Sequence, residues 1–154
     1  MRASLTGLCA LLALGACSNP RAMAANDKIC VDFKHPKVAA PVGVAGGVSA
    51  DAAAVDNCVR RWAYSLASSR DDAGTVAEAA SAACNTQLSR WNQQALAQPG
   101  ADEASASLIS GEPTNALAEH ANFSHSRALF YVVQARAGNC APPPAADGVP
   151  EGIT

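Results

Sequence analysis

The sequence predicts an all-α fold, a small bundle of about three main helices that includes a disulfide-linked helical hairpin. Three observations predict it. Apolar residues recur at three- and four-residue steps through residues 55–95 and again through 117–135, the mark of helices with one buried face. Cys58 and Cys84 lie symmetrically about a polar turn, Ser68-Ser69-Arg70-Asp71-Asp72. Thirty-six alanines against only seven aromatic residues favour helices whose backbones approach closely over a thin core.

The hairpin spans residues 51–97. In the first arm Val55, Cys58, Val59, Trp62 and Leu66 share a face; in the second, Val76, Ala80, Cys84, Leu88, Trp91 and Ala95 do the same. Antiparallel helices bring together residues whose numbers add to a constant, and folding about Asp71 sets Cys58 against Cys84, Trp62 against Ala80 and Leu66 against Val76. A disulfide needs Cα atoms about 4.4–6.8 Å apart, which adjacent helices with small neighbours reach. Closing that loop stabilises by about 3.5 kcal/mol through the entropy of the unfolded chain. Ser49 is placed to cap the first helix, with Asp51 at its positive end. Asp71-Asp72 is read as a cap for the second arm rather than a cation site, and Arg60-Arg61 as a solvated helix face.

Upstream, Ile29-Cys30-Val31-Asp32-Phe33 is expected as an extended segment laid on the helices through Cys30, and residues 35–47 as loop. Downstream, Pro99-Gly100 ends the hairpin, and residues 102–110 are expected to make one or two helical turns before Gly111. Thr114 is placed to cap a helix running to Ala137, with Leu117, Ala121, Ser124, Ala128, Val132 and Ala135 on its inner face and Leu129 and Val133 widening it. Residues 122–126 are its weak point, and Gly138 its natural left-handed terminator. The domain boundaries that follow are 1–16 as export signal, 17–27 as tether, 28–140 as helical domain and 141–154 as a disordered Pro-rich tail.

The first sixteen residues carry Arg2 and then an apolar run too short for a membrane span, the pattern of a signal peptide. The run closes with Leu14-Gly15-Ala16-Cys17, which resembles the bacterial lipobox. The resemblance covers those four residues and their context. It implies cleavage before Cys17, lipidation of Cys17 and anchoring to a membrane; Ser18, rather than Asp, resembles lipoproteins sorted to the outer membrane. The competing reading is an ordinary signal peptide cut near Ala22-Met23-Ala24, which releases a soluble periplasmic protein. Either way Cys30, Cys58, Cys84 and Cys140 remain, an even number suited to disulfides in an oxidising compartment with three possible pairings. If Cys58 takes Cys84, Cys30 and Cys140 are left to tie the ends of the domain together.

A formal charge of −2 offers no footprint for nucleic acid, which calls for a basic stripe. No G-x-S-x-G elbow, phosphate-binding glycine loop, C-x-x-C-H or H-E-x-x-H motif occurs. Lysine is confined to positions 28, 34 and 37, which excludes S-x-x-K. The remaining polar cluster is Glu119, His120 and His125, and five residues between the histidines put them on different helix faces. Trp62 and Trp91 are read as core residues. These observations assign no catalytic residue, metal or cofactor, and expect a non-enzymatic envelope lipoprotein that contacts lipid through Cys17 and either binds another envelope protein or serves as a structural module that stabilises an assembly. The alternative is a soluble periplasmic module binding a small ligand or metal near His120, His125 and Trp91.

Overall fold

A computed structural model describes residues 24–34, 49–99, 105–107 and 110–153. The expectations for the export signal, Cys17 and residues 35–47 lie outside them. Four helices form: α1 (Ala50–Leu66), α2 (Ala73–Ala82), α3 (Asn85–Leu96) and α4 (Ala116–Gly138). They make an up-down-up bundle of three legs, because α2 and α3 share the middle one. α1 and α4 run parallel: Asp56 meets Arg127, Tyr64 meets Gln134, and the Ala67 carbonyl meets Arg136. The fold is all-α as expected, with the hairpin's second arm broken at Cys84.

The break has a local cause. The Cys84 N–H bonds to the carbonyl of Ser81, three residues back, which tightens the last turn of α2. Cys84 itself sits at φ −103°, ψ 15°, joined to Cys58 across a Cα separation of 5.9 Å. A new helix starts at Asn85. Beyond the break the expected stripe loosens, and Leu88 and Trp91 are only half-buried while Gln87 is the buried residue of α3.

Caps set the other boundaries. The Ala52 N–H donates to Ser49 Oγ and the Thr75 N–H to Asp72 Oδ1, as read from the sequence. Asn115, rather than Thr114, caps α4 by accepting from the Ala118 N–H. α4 runs unbroken through residues 122–126 and ends on Asn139, at φ 48°, instead of on Gly138. Gly138 is the last helical residue, and it is glycine because a Cβ there would lie 2.7 Å from Cys140 Sγ and 2.8 Å from Cys30 Sγ. Its inner face holds Ser124, Ala128, Tyr131, Val132 and Ala135, while the expected Leu117, Ala121 and Val133 are exposed.

The core is thin and built from small residues: Val55, Cys58, Val59, Ala63, Val76, Ala77, Ala80, Cys84, Ala128, Val132 and Ala135 around Tyr64 and Tyr131. Two short ladders decorate it. Within the stretch expected to be helical, Ser105–Ala106 (β1) pairs antiparallel with Pro113–Thr114 (β2), and Gly111 turns at φ 76°. The chain after Cys140, expected as a disordered tail, forms a hairpin of Ala145–Ala146 (β3) and Val149–Pro150 (β4). Its turn places Asp147 at φ 50° and Gly148 at φ 80°, the backbone that Asp-Gly suits in a two-residue hairpin loop. The hairpin docks because Asn57 Nδ2 donates to Gly152 O, Arg61 Nη1 donates to Glu151 O, and Ile153 packs on the core.

Candidate functional site

Three groups of side chains lie between or beside the helices. The first surrounds the second disulfide. Cys30 and Cys140 are bonded across a Cα separation of 5.3 Å, so the four cysteines pair as Cys58–Cys84 and Cys30–Cys140. The segment carrying Cys30 is laid over the α1/α4 seam. The Asn26 N–H donates to Gly138 O, Gln134 Nε2 to Ile29 O, and the Val31 N–H to Tyr64 Oη, which itself donates to Gln134 Oε1. Phe33 packs edge-on to Tyr64 at 5.1 Å, and Arg61 lies over the Phe33 ring at 5.1 Å. Burial pushes the Tyr64 pKa up, against the bond from Val31. Arg61 is held below the ordinary arginine value by burial and then by Arg60, with Glu151 opposing. The paired arginines are thus half-buried contacts, not a freely solvated face.

At the same end of the bundle, α1 and α4 present their C-terminal ends together. Arg136 answers them, donating from Nε to Ala67 O and from Nη2 to Ser69 O and Asp71 O. Beside Arg136 is a cavity of about 250 Å³ lined by Tyr64, Ser65, Ser68, Asn139, Cys140 and Pro142 among others. A wider, open hollow of about 460 Å³ lies along α3, over Asn85, Ser89 and Arg90.

The second group joins α1 to α4. Arg127 Nε donates to Asp56 Oδ1, and Tyr131 Oη hydrogen-bonds to both Asp56 oxygens at 2.9 Å. Arg127 also reaches Tyr131 Oη through Nη2 and lies 4.7 Å over its ring, with Arg60 at 5.9 Å. Burial, followed by the Asp56 carboxylate, pushes the Tyr131 pKa up to about 12. Burial opposes the Arg127 cation most strongly, but the bonds and charges of Asp56 and Tyr131 together outweigh it and raise its pKa. A neutral phenol and a paired cation therefore close this seam at neutral pH. On the outer side of α4, Phe130 and Val133 are each 52% exposed, and Arg127 stands 5.5 Å over the Phe130 ring.

The third group contains the histidine singled out from the sequence. His120 stacks on Trp91, with ring centroids 3.5 Å apart and 12° between planes, and Phe123 meets Trp91 edge-on at 5.4 Å. His120 Nδ1 hydrogen-bonds to Asn92 Oδ1 at 2.8 Å, which places the ring hydrogen on Nδ1. Burial lowers the His120 pKa, so the imidazole is neutral at neutral pH. His125 is exposed on another face and does not join it. Glu119 Oε1 is buried with no hydrogen-bond partner among the described residues. Trp62 packs against the core, and Trp91 caps it through the aromatic stack.

Sequence reading found the cysteines, Trp91 and His120. It missed Asp56, Arg127, Tyr131 and Phe130. A helical i, i+4 step relates Arg127 to Tyr131, but nothing local ties them to Asp56 more than seventy residues away. Among the described residues, no group of three His, Cys, Asp or Glu side chains is placed to hold a metal, and no helix is long and apolar enough to cross a membrane. No family model matches the chain, and neither does any curated protein or solved structure.

Proposed function

We propose that this chain is a cell-envelope lipoprotein, anchored through acylated Cys17 on the periplasmic side of a membrane, the outer one by the identity of Ser18. Its helical domain acts by docking a second envelope protein rather than by catalysis. The observation that supports docking is the pair Phe130 and Val133, half-exposed one turn apart on the outer face of α4. Their backbone is held firm from behind by the Asp56–Arg127–Tyr131 seam. An aromatic residue on a rigid helix, with an arginine over its ring, has the composition of an interface anchor. The matching partner surface is apolar and carries a carboxylate within reach of Arg127.

Crosslinking in native cells, followed by recovery of the chain, tests this against a Phe130→Ser/Val133→Ser form and a Cys17→Ala form. The expected result is one stoichiometric partner that is lost with the double serine variant and reduced with Cys17→Ala. Recovery of the same proteins by all three forms removes the docking face. Ligand-dependent stabilisation of the purified domain, with no partner recovered, favours the soluble small-ligand reading instead.

A further inference from the structure

The two disulfides differ in what can reach them. Cys58 and Cys84 are wholly buried, so a reductant meets them only after the core opens. Cys30 and Cys140 are half-buried at the end of the bundle, and Cys140 lines the cavity of about 250 Å³. Arg136 lines the same cavity, so a cation bonded to the Ala67, Ser69 and Asp71 carbonyls stands near the place where a thiolate would arrive.

The segment held by the second disulfide lies outside the fully buried core. Residues 24–34 are held to the helices from outside: Asn26 N–H bonds to Gly138 O, Gln134 to Ile29 O and Val31 N–H to Tyr64, while Val31 and Phe33 rest on the core's edge with Phe33 between Tyr64 and Arg61. None of the fully buried core residues belongs to this segment. Local release of such a segment requires far less than global unfolding. Once separated, each sulfur already has a carbonyl near it, Gly138 O at 3.4 Å from Cys30 Sγ and Gln134 O at 3.7 Å from Cys140 Sγ, where a thiol S–H can donate.

We propose that Cys30–Cys140 is a thiol-exchange site whose substrate is a dithiol carried by a partner, received in the cavity at Cys140, while Cys58–Cys84 stays closed. A thiolate of the dithiol attacks Cys140 Sγ. The new S–S bond forms as the Cys30–Cys140 bond breaks, and Cys30 leaves as a thiolate that takes a proton from water. The partner's second thiolate then attacks the first sulfur and releases the Cys140 thiolate, which is protonated in turn. The chain gains two electrons and two protons, and the partner is left with a disulfide. Opening frees residues 24–34 from the α1/α4 seam and bares Tyr64 and Gln134.

The test treats the full chain with graded dithiothreitol, traps free thiols by alkylation and maps them by mass spectrometry. Cys30 and Cys140 are expected to label at a dithiol concentration at least about tenfold below that needed for Cys58 and Cys84. At that point far-UV circular dichroism should be unchanged, while the amides of Asn26 and Val31 lose protection from hydrogen exchange. Simultaneous labelling of all four cysteines, or helix loss together with the first pair, overturns the proposal. So does retained protection of those amides after reduction. A Ser68→Trp form, which narrows the cavity from an exposed turn, should slow the first reduction severalfold with unchanged thermal stability; an unchanged rate overturns the cavity as the route.

Discussion

The hairpin staple and the terminal clasp do the same covalent job in opposite surroundings. Cys58–Cys84 joins two helices already packed along alanine and valine, so covalent bond, burial and helical register agree at one place. Cys30–Cys140 joins a segment without regular structure to the end of α4, and it spans 110 residues of sequence where the staple spans 26. The difference teaches that loop length alone does not rank disulfides. A long loop restricts the unfolded chain more, but a crosslink whose partner segment can fray restricts the native state less firmly.

Removing each pair by alanine substitution sharpens this most. Losing Cys58 and Cys84 should cost about 5 kcal/mol, about 3.5 from loop entropy and the rest from the void left in the core. Losing Cys30 and Cys140 should cost about 2–3 kcal/mol, although the loop-entropy model alone gives nearly 5 for so long a loop. Urea unfolding of the two forms decides, and equal or reversed losses break the comparison. Next in size is Gly138→Ala. Its new Cβ would press on both sulfurs of the clasp, so about 2 kcal/mol should be lost at a site where alanine ordinarily favours a helix.

A smaller effect separates the clasp end from the α1/α4 seam. Tyr131→Phe takes one hydrogen-bond partner from Asp56 and should cost about 1–1.5 kcal/mol, read from the shift in urea midpoint. The phenol has its pKa raised to about 12 in the folded state against 10.0 ordinarily. Its contribution is therefore complete below pH 10 and lost as pH rises towards 12. The native chain should lose stability over that window more steeply than Tyr131→Phe. Part of the slope remains in the variant, since Tyr64 is shifted the same way. The smallest effect is Asn115→Ala, which removes the α4 cap and should cost about 1 kcal/mol by the same measurement, leaving both disulfides in place.

What the sequence made legible follows the same division. The staple could be read because helical spacing and antiparallel counting both pointed to Cys58 and Cys84. Ser49 and Asp72 could be read because a cap is decided within four residues. The inner face of α4 was misjudged, since Val132 and Val133 look alike in a hydropathy pattern and only packing against α1 buries one and exposes the other. Tyr131 was missed because its hydroxyl is satisfied by Asp56, on another helix. The Asp147-Gly148 turn did carry a local signal, but four strand residues give no alternation to support it. The docking of Glu151 and Gly152 on α1, and of Ile153 on the core, explains why that hairpin is ordered.

The parallel run of α1 and α4 gives the molecule a direction. Asn26 is bonded to the carbonyl of Gly138, so its segment lies at the end where α1 and α4 finish. The Trp91–His120 stack marks the opposite end, near the start of α4. His120 and Gly138 are 18 residues apart on α4, a rise of about 27 Å along the helix. Phe130 lies between the two ends, on an exposed flank of α4.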